Sequence, residues 1–196
     1  MGDQTTRNEM ITNDKHLQAL YKHAGISGNT VEQMRSLTPE QLDWKQNDRS
    51  WSVGECLDHI TNTTNAYLLN VEKALKTARD KDMTYNKPMK AGLFARWFIK
   101  TVGPNSSMKL SAPGIFRPEA VERNESSVDA FLKMNEALMQ TMIKADQWNV
   151  NKPKLSSPLT GLIRFSIGEA LWLQVAHAQR HLLQARRVTE HAEFPK

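Results

Sequence analysis

Three histidines are the residues of this chain best placed to do chemistry. His177 and His181 stand four apart in His177-Ala178-Gln179-Arg180-His181. That spacing is one turn of α-helix, so both imidazoles leave the same face. His59 lies far upstream, near the start of another expected helix. Three neutral imidazoles brought together from two helices can hold a divalent transition metal and leave a position open to water or substrate. The pair alone is a short motif that a chain with six histidines also produces by chance. Its weight comes from context: all three histidines fall on the flanks of apolar stripes, and both helices open with the same start signal.

Those start signals are Ser52-Val53-Gly54-Glu55 and Ser166-Ile167-Gly168-Glu169. Each fits a capping box, with Ser at the cap and Glu three residues on. After the first, Val53, Leu57, Ile60, Thr64, Tyr67, Val71 and Leu75 recur at three and four, as on a helix with one buried face. After the second, Leu171, Val175, Ala178, Leu182 and Ala185 do the same. Helices are expected near residues 13–36, 52–79, 118–145 and 166–189. The first contains Gly25 and Gly28 as candidate kink points, and the third is opened by Pro118. Thr38-Pro39-Glu40-Gln41 reads as a one-turn helix. Residues 79–116 form a long connection holding one apolar patch, Leu93 to Ile99, read as a short helix. Asp146 to Pro158 reads as a polar loop, and no strand-like alternation is apparent. The fold class is therefore all-α, and four long amphipathic helices point to a four-helix bundle.

Length and composition agree. The chain has 196 residues, 39% hydrophobic and 24% charged, which suits one ordinary globular domain. That domain is expected over residues 13–189, between a flexible stretch at 1–12 and a flexible tail at 190–196. No apolar run is long enough to cross a membrane, and no signal peptide is read at the N-terminus. A single cysteine, Cys56, excludes an internal disulfide and fits a cytoplasmic location. The net charge of +5 is spread along the chain, which argues against nucleic acid as a partner.

The stretch from Trp51 to His59, Trp-Ser-Val-Gly-Glu-Cys-Leu-Asp-His, resembles the Trp-Ser-x-x-Glu-x-x-x-His signature of the DinB/YfiT-like superfamily. The late helix with His177-x-x-x-His181 is similar to that family's second metal-binding element, and Phe116-Arg117-Pro118 is also family-like. The resemblance spans roughly residues 13–189. It implies an antiparallel four-helix bundle with a long crossover. It also implies a divalent metal, commonly zinc or nickel, held by His59, His177 and His181. Relatives include S-transferases that use bacillithiol or similar low-molecular-weight thiols, and a mycothiol-dependent maleylpyruvate isomerase. A homodimer is expected on the same ground.

Other residues near the histidines have plainer readings. Cys56, one turn before His59, is read as a small buried hydrophobe rather than a thiolate. Glu55 is taken up by its capping box. Arg180, Gln174 and Gln184 are either partners of the site or solvated helix-surface residues, and Phe94, Trp97 and Phe98 are either pocket lid or core. Catalytic acid–base residues are not assignable from the sequence. Two classes of function follow. One is a metal-dependent enzyme acting on a small-molecule substrate, as a thiol S-transferase or a hydrolase. The other is a non-catalytic protein that binds a metal or small ligand.

Overall fold

The structure is a computed structural model and describes residues 11, 13–106, 108, 116–117 and 126–196. It is mostly helical. The elements in chain order are α1 (Lys15–Gln33), α2 (Pro39–Asp43), α3 (Val53–Asp80), α4 (Leu93–Val102), α5 (Ser127–Ala145), β1 (Lys154–Ser157), β2 (Thr160–Ser166) and α6 (Ile167–Thr189). A single 3₁₀ turn, Met34–Ser36, follows α1. Helices α1 and α3 each pack against both α5 and α6, and α4 lies on α6. The apolar stripes meet in two buried clusters, one around Leu17, Tyr67, Phe165 and Leu171, the other around Val31, Leu57, Phe131 and Leu182. No described helix is long and apolar enough to cross a membrane.

Both expected capping boxes form. Ser52 Oγ accepts from Glu55 N at 3.1 Å and Glu55 Oε2 accepts from Ser52 N at 3.0 Å. Ser166 Oγ accepts from Glu169 N at 3.3 Å and Glu169 Oε2 from Ser166 N at 2.7 Å. Helix α1 runs unbroken through Gly25 and Gly28. At Gly28 the missing side chain serves approach to α5, since a Cβ there would stand 3.0 Å from Asn135 Nδ2.

Two expectations need correction. The third long helix begins at Ser127, capped by Ser126, whose backbone is extended; it does not run from Pro118, and residues 118–125 lie outside the described set. The all-α reading also misses an antiparallel hairpin, β1–β2, which pairs Leu155 with Phe165. Burial alternates along β1, but one of its two buried positions is Ser157. Its hydroxyl meets Tyr67 Oη at 2.7 Å, so a hydrogen bond stands where strand alternation would place an apolar residue.

The connection from α3 to α4 is tied down by buried acids. Asp14 caps α1 through His16 N and Leu17 N and also accepts from Met89 N. Glu169, 3% exposed, accepts from Gly92 N at 2.8 Å and pairs with Lys154 Nζ at 2.8 Å, besides closing its own capping box. Burial alone would push this carboxyl up. The Gly92 N–H, the Lys154 ammonium and the Ser166 N–H outweigh that and hold it below the usual carboxylate range. The two boxes are therefore unequal. Glu55→Ala is expected to cost about 1 kcal/mol, an ordinary cap loss. Glu169→Ala is expected to cost roughly 2–4 kcal/mol, because hydrogen bonds to a buried charge go with it. Urea denaturation of the two variants checks the order, and equal losses would contradict it.

Candidate metal centre

His59 stands in the second turn of α3, and His177 and His181 face it from the middle of α6. These helices pack directly on each other, so the i,i+4 pair and the lone histidine meet across one contact. Ring centroids are 4.9 Å apart for His59 and His177, 4.6 Å for His59 and His181, and 4.6 Å for His177 and His181. One candidate ligand atom from each falls within 4.8 Å of the other two. This is the convergence that the spacing predicts.

Hydrogen bonds fix how two of the rings present themselves. A carbonyl oxygen can only accept, so the 2.6 Å contact between His59 Nδ1 and Phe116 O puts the proton on Nδ1. Gln184 Oε1 receives His181 Nδ1 at 3.0 Å in the same sense. Both rings then offer an unprotonated Nε2. His59 Nε2 lies 3.1 Å from His177 Nε2. Ligand atoms around a tetrahedral ion at ordinary Zn–N bond lengths stand about 3.3 Å apart, so this spacing suits a shared cation. His177 Nδ1 is buried with no hydrogen-bond partner among the described residues. The donor set, three imidazoles with no thiolate, is one that zinc, nickel and similar ions accept.

Electrostatics keep the rings neutral. Burial lowers the proton affinity of His59, against the opposing pull of the Phe116 carbonyl. Burial also lowers His177 well below the usual imidazole range, helped by His181, His59 and Arg180. His181 is pushed down to about 3, chiefly by burial and then by His59, although its bond to Gln184 works the other way. Neutral imidazole is the form that ligates.

Several neighbours gain definite places. Trp51 stacks on His181, with centroids 5.4 Å apart and planes at 25°, and its ring lies 4.8 Å from that of His59. The signature that opens with Trp51 is thus joined to the histidines by ring contacts as well as by sequence. Gln184 is a partner of His181, and Gln174 is 2% exposed rather than solvated. Arg180 turns its guanidinium to the carbonyls that follow α4. Cys56 is wholly buried in the apolar cluster around Val53 and Leu57, which raises its thiol far above the ordinary range. Phe98 lines the cavity beside the histidines, while Phe94 and Trp97 are 51% and 59% exposed. The Phe116 carbonyl and Thr63, a cavity-lining residue one turn beyond His59, were not singled out by any motif of spacing.

A mostly helical chain with three convergent imidazoles beside a cavity belongs to the class of helical proteins that could hold a metal ion. The family profile of the DinB superfamily matches residues 27–185, and the chain belongs to that superfamily. No curated protein and no solved structure matches it.

The depressed proton affinities give a pH dependence of definite sign. In the unfolded chain these histidines take up protons near pH 6.5, while in the folded chain they resist until lower pH. Below about 6.5 the unfolded state binds more protons, so stability falls as pH falls. Denaturant midpoints of chelator-treated protein should drop between pH 7 and pH 5, and His181→Gln should flatten the drop. A midpoint that rises toward pH 5 would contradict this.

Proposed function

We propose that this protein is a metal-dependent enzyme of the thiol S-transferase type, with His59, His177 and His181 as the ligands of one divalent ion, zinc or nickel. The observation that carries the reading is the pair of Nε2 atoms 3.1 Å apart, each on a ring that burial keeps neutral. When bound, such an ion supplies Lewis acidity and lowers the pKa of a thiol that reaches its open position. The chain's own residues do the rest. Phe116 and Gln184 hold two rings in the ligating tautomer. Trp51 stacks on the His181 ring and leans against that of His59, which limits how either ring can turn. The cavity walls hold the partner molecule against the open position.

The thiol is a low-molecular-weight one, and the second substrate is a small electrophile. Among the described residues lining the cavity there is no carboxylate to serve as a general base. That favours thiol transfer over hydrolysis, because a thiol is far more acidic than water and reaches its attacking anion on an ion more readily without a base. The same observation leaves a non-catalytic metal-binding role as the second reading. The proposal extends to the architecture: α1, α3, α5 and α6 make the antiparallel four-helix bundle of the superfamily, in a single domain that dimerises and works in the cytoplasm.

Two measurements test this. Zinc titration of chelator-treated protein should show one site per chain, and His59→Ala, His177→Ala or His181→Ala should each weaken it by more than about a hundred-fold without unfolding the protein. Metal-loaded protein given cysteine, glutathione or bacillithiol and monochlorobimane should accelerate formation of the sulfur–carbon bond and release of chloride. The rate should vanish on chelation and return with metal. Tight metal binding with no conjugation by any thiol would leave the non-catalytic reading, and full metal occupancy in His181→Ala would remove both.

A further inference from the structure

The cavity beside the three imidazoles has a volume of about 220 Å³, below the ~300–1,000 Å³ of pockets that take drug-sized molecules. Its walls are apolar along Phe98, Val102, Leu159 and Leu173. Set into them are two buried polar side chains with capacity to spare, Gln174 and Thr63. Gln174 lies three residues before His177 on α6, lines the cavity and is 2% exposed. Its Oε1 accepts from Thr64 Oγ1 at 3.3 Å, which leaves the two N–H groups of Nε2 without a partner among the described residues. Thr63, 6% exposed and also on the wall, has a buried hydroxyl with no partner among the described residues. The Thr63 hydroxyl is a buried donor without an acceptor, which is unfavourable, and a ligand carrying an acceptor relieves that cost while giving the Gln174 amide a partner.

Charge points the same way. Histidines aside, Arg180 is the one ionisable cation among the described lining residues. Its Nη1 is directed at the carbonyls of Thr101, Gly103 and Ser106, at 3.5, 3.4 and 3.4 Å, and its Nη2 donates to Met108 O at 2.5 Å. That guanidinium straps the chain after α4 to α6, so its donors are turned to protein carbonyls rather than to a ligand anion.

We propose that the cavity selects a small, uncharged, mostly apolar molecule bearing one hydrogen-bond acceptor, such as a carbonyl oxygen, and that Gln174 Nε2 donates to that acceptor with the Thr63 hydroxyl as second donor. This deepens the transferase reading and rests on it: the molecule is the electrophilic partner of the thiol, and Gln174 is its specificity determinant.

The test uses full-length protein treated with chelator, so that no ion attracts a carboxylate. Three probes of similar shape are titrated while the Trp51 indole N–H resonance is followed by NMR. They are acetophenone, α-methylstyrene (which has CH₂ in place of the carbonyl oxygen) and benzoate. Acetophenone should bind about ten-fold tighter than α-methylstyrene, and benzoate more weakly than either. Gln174→Met, which keeps the bulk and removes the donors, should reduce acetophenone to the level of α-methylstyrene. Equal affinity of the two neutral probes, preference for benzoate, or unchanged acetophenone binding in folded Gln174→Met protein would overturn the proposal. If that variant does not fold, the comparison of probes on the unaltered chain decides alone. Zinc titration of the same preparation separates the two readings. Zinc bound through the histidines with no preference for acetophenone removes this proposal alone. Preference for acetophenone without zinc binding supports the donor role of Gln174 in the cavity, removes the metal centre, and overturns the assignment of the molecule as the thiol's electrophilic partner.

Discussion

The packing of α3 against α6 takes three imidazoles out of water, and the rest of the site follows from that desolvation. A buried imidazole must be neutral, and each of its nitrogens needs a partner. For His59 and His181 the outer nitrogen is met by the Phe116 carbonyl and by Gln184. The inner nitrogens then face one another, 3.1 Å apart for His59 and His177. Without an ion, His177 Nε2–H can donate to His59 Nε2 at that distance, and a cation between the two nitrogens would take the place of that proton. Binding a metal and folding the α3–α6 contact are thus coupled through the same atoms.

Holding that geometry requires α6 to be fixed at its N-terminal end and along its length. Glu169 does the first: one buried carboxylate closes the capping box, pairs with Lys154 on the hairpin and receives the Gly92 N–H just before α4. Arg180 does the second by binding the carbonyls that follow α4. Both contacts join α6 to the same connecting segment, so α4 is clamped at both ends over the helix that carries His177 and His181. Phe98 and Val102 of α4 reach the cavity wall as a result.

Much of this is legible in the sequence because it is local. Ser-x-Gly-Glu capping boxes, a three-four apolar period and an i,i+4 histidine pair each act within one or two helical turns, and each forms as read. What escapes is set by contacts distant in the chain. Ser157 occupies a buried strand position because Tyr67 supplies its hydrogen bond from α3, so the hairpin shows no apolar alternation. Pro118 reads as the start of α5 because proline suits a first turn. The operative cap is Ser126, whose side chain accepts from Asp129 N, a signal present in Ser126-Ser127-Val128-Asp129 but weaker than a Ser–Glu box. Gln174 reads by type as either a partner of the site or a solvated surface residue, and the approach of α3, with Thr64, decides for burial.

The central claim is that three specific imidazoles share one ion, and X-ray absorption spectroscopy of the zinc-loaded protein tests it most directly. The expected spectrum is that of a single zinc with three imidazole nitrogens at about 2.0–2.1 Å and one further light ligand. The multiple-scattering signal of the rings should weaken by a third in His59→Ala. A zinc environment with fewer than three imidazoles, or a spectrum unchanged by that substitution, would contradict the assignment of the metal to His59, His177 and His181.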